Sequence, residues 1–301
     1  MNDFQSHAPI AGLHHVTAIS GPAQENLDFY TKTLKTRLIK KTVNFDAPEM
    51  YHLYYGAQAA QPGSVLTFFN QEQSRQGHAG AGAAFAFAYA VTRSELTSWQ
   101  GALGGHVETR FGDDVLILRD PHGQVFEMVA DDTAGDWGAF HSVTLWVADP
   151  APTGRILTDV FGYAFKGEER GQDGRRLRFV LPGDAPGRIV DIWCSDSITV
   201  ARPGSGTIHH VAFRASDSTH QAKLRDVLIA QGQQVTEVKD RQYFKAIYFR
   251  EPGGILFEIA TDGPGFNYDE PMDRLGAALK LPPAHEPYRR QIEAQLPKLR
   301  N

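Results

Sequence analysis

Two histidine pairs and one glutamate lie inside otherwise apolar, strand-like runs of this chain: His14-His15, His209-His210 and Glu258. An unpaired buried carboxylate is costly, so such runs seldom carry charge without a reason. Two neutral imidazoles and one carboxylate are a common ligand set for a catalytic divalent metal. The chemistry to test is therefore metal binding by residues far apart in the chain.

The elements that must position these residues repeat. The first unit reads as a strand over 10–20, a helix over 24–34 with Leu27, Tyr30 and Leu34 on one face, and strands over 36–44, 51–55 and 64–69. The second reads as a strand over 84–91, a helix over 94–103 with Ser94 as N-cap, and strands over 106–110, 115–119 and 124–129. The third has a strand over 140–149, a helix over 153–161 and strands over 163–167, 175–181 and 188–193. The fourth, 206–261, has a helix over 219–231 and a strand pair over 235–250. RDPHGQVFE (119–127) and REPGGILFE (250–258) match in Arg, acid, Pro, Gly, Phe and Glu, which marks an internal repeat. The predicted class is α+β: four tandem βαβββ units whose curled half-barrel sheets pair into two modules. A linker over 131–138 divides an N-terminal domain (1–135) from a C-terminal domain (136–270), and 271–301 forms a helical tail.

Two slots recur: the second residue of the histidine pair, and the residue four after the turn glycine of the last strand. Unit one offers His15 and Thr67, unit two only Glu127, unit three Ser142 and Asp191, unit four His210 and Glu258. Pairing units one and two brings together His15 and Glu127; two and three, Glu127 and Asp191; three and four, Asp191, His210 and Glu258. Units one and four give His15, His210 and Glu258, the facial two-histidine, one-carboxylate set typical of non-heme Fe(II) oxygenases. Thr67 is a poor ligand and leaves positions open. Regular pleating turns His14 and His209 to the other side of their strands. Glu127 and Asp191 read as relics or hydrogen-bonded residues. His52, His106, His141 and His220 show no partner pattern.

Composition narrows the rest. Hydrophobic residues make up 42% and charged residues 22%, as in a globular protein. The net charge of −5, without a Lys/Arg cluster, gives no face for nucleic acid. Cys194 is alone, so no internal disulfide forms and a reducing compartment is expected. No apolar leader or membrane-length run is visible, and a cytoplasmic protein is expected. Nucleophile-elbow, dinucleotide and phosphate-loop motifs are missing. The glycine run 77–82 reads as the connection between units one and two.

The His-His-Val openings and acid-Pro-x-Gly-x-x-Phe-Glu closings resemble the vicinal-oxygen-chelate superfamily of glyoxalases, bleomycin-resistance proteins and extradiol dioxygenases. GLHHVTAIS, TIHHVAF, DRQYFKAIYFREPGGILFEIATDGPGF and the tail HEPYRRQIEAQLPKL resemble the bacterial ring-cleaving dioxygenases of hydroquinones. That resemblance implies Fe(II), with Mn(II) as a variant, at His15, His210 and Glu258. It also implies a small aromatic substrate with O2, and substrate contacts at His14, Arg241 and Tyr248. Arg241 and Tyr248 differ in strand parity, so both reach one site only across a bend or bulge. Two alternatives stay open: a glyoxalase-like lyase or isomerase, whose fourth slot is usually a carboxylate, and a protein that sequesters an aromatic or antibiotic. Zn(II) accepts the same donors, and the oligomeric state, including a homo-oligomer, is left open by the sequence.

Overall fold

The computed structural model describes residues 8–197 and 199–300. The first unit comprises β1 (Leu13–Ser20), α1 (Ala23–Asp28), β2 (Arg37–Asn44), β3 (Ala47–Gly56) and β4 (Val65–Asn70). The second comprises β5 (Ala83–Val91), α2 (Arg93–Leu103), β6 (His106–Arg110), β7 (Asp113–Arg119) and β8 (Val125–Ala130). The third comprises β9 (Phe140–Trp146), α3 (Pro150–Arg155), β10 (Ala164–Gly171), β11 (Gly174–Val180) and β12 (Ile189–Ser195). The fourth comprises β13 (Thr207–Ala215), α4 (Ser218–Ala230), β14 (Lys239–Asp240), β15 (Phe244–Arg250) and β16 (Leu256–Pro264).

The strands form two curled eight-stranded sheets, β14-β15-β16-β13-β1-β4-β3-β2 and β10-β11-β12-β9-β5-β8-β7-β6. Units one and four thus share one sheet, and units two and three the other. Each sheet draws one unit from each sequential half of the chain, so the sheets do not follow the division at 135/136. In every unit the first strand runs parallel to the last, and each sheet is joined at its middle by an antiparallel seam of first strands. Across the seam β1–β13, Thr17 lies opposite His210 and His15 opposite Ala212. The connections at 76–81 and 200–205 run side by side between the sheets. Their glycines permit this: a Cβ on Gly80 would sit 2.4 Å from the Thr199 carbonyl oxygen.

Most of the core lies where the sheets and helices meet. Leu27, Tyr30 and Leu34 are buried together, as their spacing predicts. α1 and α3 each end in one π turn, over 29–33 and 156–160. α2 is capped by Thr92, not by Ser94. The Thr92 hydroxyl accepts from the Glu95 amide and the Glu95 carboxylate accepts from the Thr92 amide. A cap at Ser94 would put Thr97 in the position where this reciprocal pair needs an acid. Residues beyond β16 fold back over β2, where buried Lys40 donates to Asp269 and Glu270 at 2.6 Å each. The tail ends with α5 (Arg289–Gln295). Among the described residues no helix is long and apolar enough to cross a membrane.

The repeated turn has a mechanical reason. Asp120 accepts from the amides of His122 and Gln124, both at 2.9 Å, and Glu251 accepts from those of Gly253 and Ile255 at 2.8 and 3.0 Å. Each acid ties its own turn, and the glycine that follows takes a left-handed conformation: φ is +85° at Gly63, +86° at Gly123, +69° at Gly187 and +99° at Gly254. This turn sets the offset to the slot residue. Alanine at any of these positions should cost about 1–2 kcal/mol for the backbone alone. A Cβ on Gly187 would also meet Leu13 Cβ at 2.8 Å, whereas on Gly254 its nearest neighbour is at 3.4 Å. Urea denaturation should therefore rank Gly187→Ala as more destabilising than Gly254→Ala; the reverse order would refute this account of the turn.

Candidate metal centre

His15 reaches the site from β1, His210 from β13 and Glu258 from β16, three neighbouring strands of the first sheet. Residues 195 positions apart in sequence bring His15 Nε2 and His210 Nε2 to 3.3 Å. Glu258 Oε2 lies 3.0 Å from His210 Nε2 and 3.4 Å from His15 Nε2. All three side chains are buried, and both Glu258 oxygens lack a protein hydrogen-bond donor. The close nitrogen–oxygen distances therefore reflect convergence, not well-formed hydrogen bonds.

The other imidazole nitrogens are engaged. His14 Nδ1 lies 2.8 Å from His15 Nδ1, and His209 Nδ1 lies 2.7 Å from His210 Nδ1. Each histidine pair uses its first member to fix the ring of its second, aiming Nε2 inward. Burial, and next the His15 charge, push His14 down to about 3. Burial also lowers His210, with Glu258 opposing. Burial alone would raise the Glu258 carboxyl, but the adjacent imidazoles outweigh it and hold it well below the usual range. At neutral pH His210 is therefore neutral and Glu258 ionised, the forms a divalent cation accepts.

The donor set fits a metal ion. Ligands about 2.1 Å from one ion and at right angles to each other lie ~3 Å apart, close to the spacings found here. Orphaned carboxylate oxygens facing two imidazole nitrogens call for a cation between them. The fourth slot is closed to ligation: Thr67 Oγ1 hydrogen-bonds Thr17 Oγ1 at 2.7 Å and His52 Nε2 at 2.8 Å.

The three side chains face a cleft of about 420 Å³ whose walls include Ile19, Phe45, Phe69, Phe244 and Leu256. Tyr248 and Arg241 lie on one side of it. The parity conflict between them is resolved by the backbone. Arg241 is not in β15 but in the turn before it, where Gln242 has φ +66°, and the β15–β16 register shifts between Phe244 and Ala246. Arg241 Nε then donates to the Tyr248 hydroxyl at 3.1 Å. His14 is not on this cleft. It stands behind His15, its ring 5.1 Å from that of Phe244, and lines a separate small pocket. His209, expected on the far side, lines the cleft and is exposed there.

Two cleft residues were missed in the sequence. His52 is half-buried, and its Nδ1 lies 3.1 Å from the Tyr54 hydroxyl. Tyr54 pairs in register with Thr67, as Tyr248 does with Glu258. The residue opposite the slot was thus available as a signal from the repeat. In the second sheet the slots hold ion pairs instead: Arg110 Nη1 reaches Glu127 at 2.7 Å, and Arg178 holds Asp191 through Nε at 2.9 Å and Nη2 at 3.0 Å.

A fold of paired βαβββ units with a candidate His-His-Glu donor set beside the seam defines a class. The chain belongs to the glyoxalase/bleomycin resistance protein/dioxygenase superfamily, whose family model matches residues 139–259. Among curated relatives, it is 39% identical to "Putative ring-cleaving dioxygenase MhqO" of Bacillus subtilis (strain 168), over 95% of each chain. It is 32% identical to the chlorohydroquinone/hydroquinone 1,2-dioxygenase of Sphingobium indicum, over 92% of this chain and 93% of that one. The crystal structure of a "putative dioxygenase" from Bacillus subtilis superposes with a TM-score of 0.91 at 38% identity, covering 97% of this chain and 98% of that one. Glyoxalase I from Zea mays shares the fold, with a TM-score of 0.64 at 14% identity over 83% of this chain and 92% of that one.

Elemental analysis should separate the two sheets. His15→Ala, His210→Ala and Glu258→Ala should each lose bound metal, since three donors leave none to spare. Asp191→Ala should retain it and instead lose about 1–3 kcal/mol of stability, because Arg178 loses its buried partner and keeps only the half-exposed Asp113 at 2.7 Å. Loss of metal from Asp191→Ala would place the centre elsewhere.

Proposed function

We propose that this protein is a ring-cleaving dioxygenase of a hydroquinone or catechol-like aromatic, with Fe(II) held by His15, His210 and Glu258. The observation that carries this reading is a buried three-donor set, with no fourth ligand among the described residues, opening onto an aromatic-walled cleft. The ring-cleaving relatives at 32–39% identity over most of the chain support it. Mn(II) is the alternative ion. Zn(II) accepts the same donors but has no redox chemistry.

The bound ion would supply Lewis acidity towards a phenolic oxygen and the electron traffic that O2 requires. The remaining work falls to this chain. An arginine Nε can only donate, so the Tyr248 oxygen accepts from Arg241 and its own proton is free to point into the cleft. Burial chiefly raises the Tyr248 phenol above its ordinary value, so it stays protonated and acts as a donor to a substrate oxygen. Arg241, tied also to Asp46 at 3.2 Å, keeps that hydroxyl in place. On the opposite wall the Tyr54 hydroxyl, held by a His52 that burial keeps neutral and whose other nitrogen is on Thr67, offers an uncharged hydrogen-bonding group to a second ring hydroxyl. Phe45, Phe69 and Phe244 surround the ring and exclude water. His14 acts through His15 as a positioning residue. A glyoxalase-like reaction finds no carboxylate in the fourth slot, where Thr67 is already engaged.

Anaerobic loading with Fe(II), followed by hydroquinone or catechol in aerated buffer, should consume O2 in step with ring-opened product. Tyr248→Phe should keep its iron and lose about 100- to 10,000-fold in kcat, the span of a general acid–base group. Near-normal turnover in that variant would reduce Tyr248 to packing. An iron-loaded protein that consumes no O2 with any such substrate, yet converts a glutathione hemithioacetal, would overturn the dioxygenase reading.

A further inference from the structure

The second sheet carries a cleft of about 680 Å³ that the metal centre does not use. Four arginines line it, and three have evident partners. Arg110 is bound to Glu127 and Glu108, Arg170 reaches both oxygens of Asp196 at 3.1 and 3.2 Å, and Arg119 donates to the Gly123 carbonyl at 3.1 Å. Arg176 differs. Its single hydrogen bond among the described residues is from Nη1 to the neutral Thr144 hydroxyl at 2.9 Å, and no carboxylate lies within ion-pair distance. A guanidinium has five N–H donors in a fork that matches a carboxylate. Burial, and next the charge of Arg110, press the Arg176 guanidinium below its ordinary value. It remains a cation, half-buried beside an open cleft, with the charges of Glu127, Asp191 and Glu108 near it but none of them bonded to it.

The adjacent wall is aromatic. Trp193 lies opposite Arg176 in the β11–β12 register, with the guanidinium carbon 5.9 Å from its ring centroid. Phe85 stands 5.0 Å and Trp146 4.4 Å from Trp193, centroid to centroid. At the equivalent places of the first sheet Ala246 stands opposite Ala260 and His52 opposite Phe69, so only unit three sets an arginine against a ring there. Glu169 on the same cleft is engaged by the Phe111 amide at 2.7 Å, and Asp173 at the exposed rim disfavours a polyanion. We propose that this cleft binds a small aromatic monocarboxylate, its carboxylate on Arg176 and its ring against Trp193.

Benzoate is the probe, titrated by calorimetry into the metal-loaded protein. Saturable binding is expected, at least tenfold tighter than that of neutral benzamide and of acetate, which lack the charge and the ring respectively. Arg176→Met should weaken it at least tenfold, and Trp193→Leu should weaken it too. His15→Ala, which disables the other cleft, should leave benzoate affinity unchanged. The proposal fails if benzoate gives no saturable heat, if benzamide or acetate binds as tightly, if Arg176→Met binds as wild type does, or if His15→Ala abolishes binding. The benzamide and acetate comparisons need no variant, so a misfolded Arg176→Met would not shield the idea.

Discussion

Three lone-pair donors pointing at one another in a dry pocket repel unless something positive lies between them. That constraint organises the first sheet. His15 Nε2, His210 Nε2 and Glu258 Oε2 lie 3.0–3.4 Å apart, with the carboxylate oxygens lacking any protein donor. The chain has arranged everything else to hold this tension. His14 and His209 take the outer ring nitrogens, the seam β1–β13 fixes both imidazoles in register, and the turn before β16 sets the height of Glu258.

The second sheet shows how the same framework relieves the same constraint without a metal. There the slot carboxylates each receive a buried arginine: Glu127 takes Arg110 from β6, two strands away, and Asp191 takes Arg178 from the neighbouring β11. Arg178 stands opposite Asp191 where Tyr248 stands opposite Glu258. One backbone position thus carries a charge-neutralising side chain in one sheet and a phenol lining the cleft in the other. The repeated units keep their topology because turns and seams depend on glycine conformation and apolar alternation, which both sheets share.

Much of this was legible in the sequence because the repeat is strict. The turn glycines and the four-residue offset to Thr67, Glu127, Asp191 and Glu258 follow from local backbone geometry, so counting along the chain located the slots. The pairing of units one and four followed from asking which slots make a ligand set. What alternation could not show depends on departures from regular pleating. Arg241 and Tyr248 meet through a left-handed Gln242 and a bulge, and His209 faces the cleft despite its parity. His52 and Tyr54 were hidden because their strand carries several aromatics, and only its register with β4 distinguishes those facing the cleft. The ion cluster of Lys40, Asp269 and Glu270 is also long-range, and nothing near Lys40 in the sequence announces it.

The nesting of the units bears on how the molecule is made. Units two and three are neighbours in sequence and can complete their sheet while the chain is still growing. Unit one cannot: its open edge at β1 must wait for β13, almost two hundred residues downstream. On the ribosome the first histidine of the triad therefore emerges long before its partners, in a half-sheet with an unpaired edge. The set of three donors is complete only with the final strand β16, so a nascent chain carries His14-His15 long before the partners they converge on.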